Sequence, residues 1–166
     1  MIKKYLLAII FILTLAVSSY AQFVTVWGTK YPGISKDNQI IIPGKGTYQI
    51  AWQEVDNPAN KGTAQGKDAT TLTFPKAGVY KVSIRGGLQR FVFEKKNDNA
   101  KLLTIQQWGN IQWTSMKEAF RGCKYLTCTA TDAPDLSRVT SLSGMFRKCT
   151  KGWKINYFPK FENWHT

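Results

Sequence analysis

From Gln22 to about Asn99 the chain repeatedly switches between short apolar stretches and turn-forming residues. Phe23–Trp27, Thr47–Trp52, Thr71–Phe74 and Val79–Ile84 place apolar side chains at alternate positions, the period of a half-buried strand. Gln39–Pro43 is an apolar run closed by Pro43-Gly44, and Gln89–Phe93 follows the Gly86-Gly87 turn signal. Six or seven short strands with turns between them predict an antiparallel β-sandwich. The polar segment Asp56 to Lys67 predicts a long exposed loop, and the charged, amide-rich Lys95–Asn99 predicts a domain boundary.

After Leu102 the pattern changes. Thr114–Cys123 and Thr140–Cys149 match at an offset of 26 residues, with Thr, Ser, Phe, Arg and Cys recurring and Met116 answered by Leu142. A period of this size is the mark of a solenoid, in which each unit buries its apolar face against the next. Trp113, Met116 and Phe120 fall at i, i+3 and i+7, as do Val139, Leu142 and Phe146, which predicts a short helix in each copy. Ser115-x-x-Glu118 reads as a capping box for the first. Leu102–Ile105 and Leu126–Ala130 read as strand rungs between the helices. A third copy begins at Pro159–Trp164, so the chain carries two repeats and a partial third. Three repeats are the usual minimum. The expectation is therefore that the sandwich caps the repeats, or that the chain is a truncated piece of something longer. The expected division is residues 1–21 as leader, 22–99 as sandwich and 100–166 as repeats.

The leader reading rests on Lys3 and Lys4, the apolar run Leu6 to Val17, and the small-x-small ending Ser19-Tyr20-Ala21, which together predict a cleaved signal peptide. The run is short for a membrane span and no Cys follows it, so stable membrane insertion and lipid attachment are not expected. Loss of Lys3 and Lys4 with the leader lowers the net charge from +13 to +11. That balance suits polyanions, although the basic residues are scattered and an exported chain is not expected to meet nucleic acid as a specific ligand. Cys123, Cys128 and Cys149 are an odd set for an oxidising compartment. Cys123 and Cys149 hold matched repeat positions, compatible with a disulfide or with a ladder of unbonded apolar thiols.

No catalytic set emerges. The single histidine, His165, sits at the chain end, and Cys123-x4-Cys128 lacks the partner pair a metal site needs. Gly44-Lys45-Gly46 and Gly86-Gly87 lead into no helix and read as turns, not phosphate loops. Asp132 and Asp135 flank Pro134, where turn-shaping and capping are the expected roles, beside the sharper idea of a cation or general-acid pair. The chain is expected to be no enzyme and to carry no cofactor or metal. Six tryptophans suggest packing or, more sharply, sugar-stacking surfaces, with Trp153 and Tyr157 as exposed candidates. Arg121 and Arg147 occupy matched positions, followed by Lys124, Lys148 and Lys151, and are expected to line one edge of the repeats. Met116, Phe120, Cys123, Leu142, Phe146 and Cys149 are the expected repeat core.

The run from Trp108-Gly109-Asn110-Ile111-Gln112-Trp113-Thr114-Ser115-Met116 through Phe120, Gly122-Cys123, Asp132-Ala133-Pro134-Asp135-Leu136-Ser137 and Ser143-Gly144-Met145-Phe146 resembles the BspA-like leucine-rich-repeat surface proteins of bacteria. Ahead of it, Ala77-Gly78-Val79-Tyr80-Lys81-Val82 is similar to the Gly-x-Tyr-x-Val strand of the PKD-like sandwich that often precedes such repeats. The resemblance implies a mainly β fold with short helices in a leucine-rich-repeat segment. It also implies an exported protein of the cell surface, outer envelope or medium, working as a non-enzymatic adhesion or binding module. Its expected partner is a host or bacterial surface protein or a glycan. The alternatives are a carbohydrate-binding protein using exposed aromatics, and a truncated remnant of a longer surface protein.

Overall fold

The computed structural model describes residues 22–93 and 97–149, and over them the chain is mainly β. The strands are β1 (Phe23–Gly28), β2 (Gln39–Glu54), β3 (Lys61–Thr73), β4 (Val79–Gly86), β5 (Arg90–Phe91), β6 (Leu102–Gln107) and β7 (Thr127–Cys128). They form an open mixed sheet in the order β3-β2-β4-β1-β6-β7, with β5 paired to β2 off that path. Pairing is antiparallel except for β6 with β7.

Two local expectations are corrected. Pro43-Gly44 does not end a strand: β2 runs through it for 16 residues, with a register shift between Pro43 and Thr47. Beyond this irregularity β2 pairs with β4 through Tyr48–Glu54, whereas Gly44 and Lys45 pair with β5. The Pro43 carbonyl still accepts from the Val92 N–H, so the proline costs the sheet only a donor. The second correction concerns Asp56–Lys67. Only its first half is a turn; Lys61 onward is β3, paired with β2 over nearly its whole length. Its apolar content is low because its inward positions are kept small: Gly62, Ala64 and Gly66 lie opposite Trp52, Ile50 and Tyr48.

The connection from β1 to β2 is held by a buried polar cluster at the start of the repeats. Asp98 accepts from the Ile34, Ser35 and Ile41 N–H groups and from the Ser35 hydroxyl, at 2.5–3.1 Å. The Lys101 ammonium lies 2.7–3.1 Å from four oxygens of Ser35, Lys36 and Gln39. A buried charge persists only with such partners. The sheet also crosses the expected boundary near Asn99, since β6 pairs with β1. One continuous apolar cluster extends from Ile40 and Tyr80 to Phe120 and Leu126.

The expected helices are absent: among the described residues the only helical element is the 3-10 turn Asn99–Lys101. Each repeat is instead a run of linked turns. The Ala119, Arg121 and Cys123 N–H groups donate three residues back, to Met116, Glu118 and Phe120. Met145, Arg147 and Cys149 do the same to Leu142, Gly144 and Phe146, so the pattern recurs at the 26-residue offset. The intervening donors point at the next copy: Met116, Glu118, Phe120 and Gly122 bond the carbonyls of Ser141, Ser143, Met145 and Arg147. Left-handed backbone also recurs in register, at Glu118 (φ 55°) and Gly144 (φ 65°), and at Gly122 (φ 72°) and Lys148 (φ 64°). An α-helix cannot absorb a left-handed residue every fourth position. Nor is Ser115 a capping-box residue; its hydroxyl accepts from Lys117 N–H, as Ser141 does from Ser143. The i, i+3, i+7 residues nevertheless face inward, with Trp113, Met116 and Phe120 fully buried and Val139, Leu142 and Phe146 packed against them.

The matched left-handed positions give a paired prediction. A Cβ on Gly122 would lie 2.5 Å from Asn99 Nδ2, which itself donates to the Arg121 carbonyl. Gly122→Ala should therefore cost about 2 kcal/mol or more in urea unfolding. Lys148→Gly, at the equivalent exposed position, should be neutral or stabilise by up to about 1 kcal/mol. Equal losses for both would contradict the shared turn geometry.

Candidate binding surfaces

Exposed basic and amide side chains collect on two surfaces, the repeat edge and the outer face of the sheet. On the repeat edge, Arg121 and Arg147 follow the same turn in successive copies. They are not equivalent: Arg121 is half-buried and ion-paired with Glu118 at 2.6 Å, whereas Arg147 is exposed because Gly144 replaces that glutamate. Lys124 and Lys148 are exposed as well. Lys151, Trp153 and Tyr157 lie outside the described residues. The other tryptophans with a described environment offer no exposed sugar platform. Trp27, Trp108 and Trp113 are fully buried, and Trp52 is half-buried, edge-on to Phe74 and Tyr80 at 5.4 and 5.7 Å.

Asp132 and Asp135 are occupied structurally. Asp132 accepts from the Trp108 and Gly109 N–H groups at 2.7–3.1 Å, tying the two rungs that start at β6 and β7. Asp135 accepts from Ser137 N–H at 3.0 Å and from Gln112 Nε2 at 2.9 Å. The Ser137 hydrogen bonds hold its carboxyl below the usual range.

The cysteines are all unbonded. Cys123 is fully buried beneath the first repeat, and burial drives its thiol far above the ordinary range. Cys149, one repeat on, sends its thiol to the Phe120 carbonyl at 3.0 Å. Denatured without reductant, the protein should take up three equivalents of an alkylating reagent; uptake of one would mean a disulfide between two of them.

The sheet face was not visible in the sequence, because one of its three strands was hidden in the segment read as a loop. Three cross-strand rows span β3, β2 and β4. Gln65, Gln49 and Arg85 make the first; Thr63, Ala51 and Ser83 the second; Lys61, Gln53 and Lys81 the third. The middle row is short, so the long side chains on either side stand above a floor of methyl and hydroxyl groups. Two adjoining hollows of about 450 and 390 Å³ share that floor. Arg85 Nε donates to Gln49 Oε1 at 2.7 Å, which fixes both side chains on the rim. The β2–β3 turn that sets Lys61 opposite Gln53 is fastened from behind. There Glu54 accepts from Asn60 at 2.7 Å and pairs with Lys76 at 2.9 Å, and these donors, Asn60 first, hold its carboxyl below the ordinary value. The available signal was the pair of strands Gln49-Ile50-Ala51-Trp52-Gln53 and Lys81-Val82-Ser83-Ile84-Arg85, whose outward residues are long-short-long in both.

The chain matches no protein-family model, no curated protein and no solved structure. Among the described residues, no helix is long and apolar enough to cross a membrane.

Proposed function

We propose that this protein is an exported, non-enzymatic binding or adhesion module of the BspA-like leucine-rich-repeat kind, with a PKD-like sandwich ahead of the repeats. It would meet a surface protein or a glycan outside the cell. The observation that carries this reading is the turn pattern of Met116–Cys123, reproduced hydrogen bond for hydrogen bond in Leu142–Cys149. Parallel stacking of identical turns is how repeat proteins build an extended display surface. The leader-like residues 1–21 support export. A sandwich is supported by the way β2 serves β4 with one half and β5 with the other, since a long strand that changes partners at an irregularity is how corners form between packed sheets. Against catalysis stands the chemistry of the chain itself: Asp132 and Asp135, the carboxylates that flank Pro134, are spent on backbone and amide donors.

On this reading the exposed Arg147 and Lys148 belong to a contact edge. In a screen of immobilised matrix proteins, glycans and anionic polymers at physiological salt, the protein should be retained by at least one class. Arg147→Ala with Lys148→Ala should weaken retention on protein ligands about threefold or more. Uniform failure to bind would overturn the proposal.

A further inference from the structure

We infer that the outer face of β3–β2–β4 is a binding site for a linear acidic polysaccharide. The inference deepens the binding-module reading by naming a ligand class for a second surface, and it rests on that reading for the protein's meeting such a polymer.

The charge on this face is one-sided. Lys61, Lys81 and Arg85 project from it, and no acidic residue lines either hollow. Among the described residues the ion pairs are Lys76–Glu54 and Arg121–Glu118, so none of these three cations is neutralised by an acid. On β4, Lys81 and Arg85 stand four residues apart, about 13 Å at the usual rise of a strand. Lys61 and Lys81 stand two strands apart, about 10 Å. Positive charges at such intervals fit an anion carried at regular spacing along a polymer better than one small anion, which would need them to converge.

Between the charges the chemistry suits sugar hydroxyls. Gln49, Gln53 and Gln65 offer amide donors and acceptors, and Thr63 and Ser83 offer hydroxyls at the floor. The short Ala51 row lets a chain lie down between the two rims instead of across them. What the face lacks decides between polyanions. Single-stranded nucleic acid is held by bases stacked on exposed aromatic rings. The outward positions of these rows carry no aromatic ring, and Trp52, whose side chain lies on the inner side opposite Gly62, packs edge-on against Phe74 and Tyr80. Recognition here must come from charge and hydrogen bonds alone, which a carboxylated or sulfated polysaccharide satisfies.

The test uses the full chain, purified as the exported form, against polygalacturonate and a sulfated glycan. Neutral dextran and an oligothymidylate of matched charge serve as controls. Binding should be seen to the acidic polysaccharides, should weaken steeply as salt rises through the physiological range, and should be absent for dextran. The triple variant Lys61→Ala, Lys81→Ala, Arg85→Ala should lose about tenfold or more in affinity. The charge-preserving Lys81→Arg should keep it, and both proteins should unfold at the wild-type temperature because the three side chains are exposed. Gln53→Ala should cost a few-fold without changing the salt dependence. Loss of polysaccharide binding in Arg147→Ala with Lys148→Ala, but not in the triple variant, would overturn this site while leaving the binding-module reading intact. So would tighter binding of the oligothymidylate than of either polysaccharide. No binding of any acidic polysaccharide would also overturn it, and the protein-ligand screen would then decide the broader reading by itself.

Discussion

A stack of turns that satisfies its hydrogen bonds between copies has an unsatisfied first copy, and in this protein the segment Gln89–Phe91 fills that place. Thr140 sends its N–H and hydroxyl to the Thr114 carbonyl; Thr114 sends its own N–H and hydroxyl to the Gln89 carbonyl. Arg90 bridges Ser115 in parallel, as the turns of one repeat lie parallel to the next. The side chains follow the backbone. Phe91 meets Phe120 at 5.8 Å, and Phe120 stacks on Phe146 at 5.5 Å and 14°. Phe23 at the start of β1 completes the joint, touching Phe91, Trp108 and Trp113 at 5.2–5.8 Å. The two described repeats share one apolar cluster with the sheet, so their packing runs through this seam.

That dependence explains why the sheet does not stop where the repeats begin. β6 has two duties: it pairs antiparallel with β1 and parallel with β7, so it is at once the last long strand of the sheet and the first rung of the repeats. The Asp98–Lys101 cluster stands at the same junction and holds the loop between β1 and β2 against it. A strand with two partners and a buried charge cluster beside it join the sheet to the repeats through backbone pairing as well as through the apolar cluster.

The sequence exposed the repeat and its inward residues, because apolar spacing is set by which side chains need burial. It did not expose the conformation. A turn series with inward residues at i, i+3 and i+7 leaves the same trace as a helix, and the left-handed positions are disguised. Glu118 stands where the second copy has Gly144, and Lys148 stands where the first has Gly122. Only superposing the copies and asking where either holds glycine would have uncovered them. In the sheet, β1, β4, the second half of β2 and the Thr71–Thr73 end of β3 were legible from alternation, and the first half of β2 from its apolar run. The first half of β3 was not: its inward residues there are Gly62, Ala64 and Gly66, small so that Tyr48 and Trp52 fit beneath, and its outward residues are polar. With it went the sheet face, since a surface of three strands cannot be read from two.

Hydrogen exchange on the native protein tests the seam most directly. If the sheet caps the repeats, the Trp113 and Thr114 amides, which lie on the repeat side, and the Val82 and Ile84 amides of β4 should open with the same free energy. Phe91→Ala should lower both together. Repeat amides that exchange freely while β4 stays protected, or a Phe91→Ala variant that loses protection in only one of the two regions, would contradict a shared core.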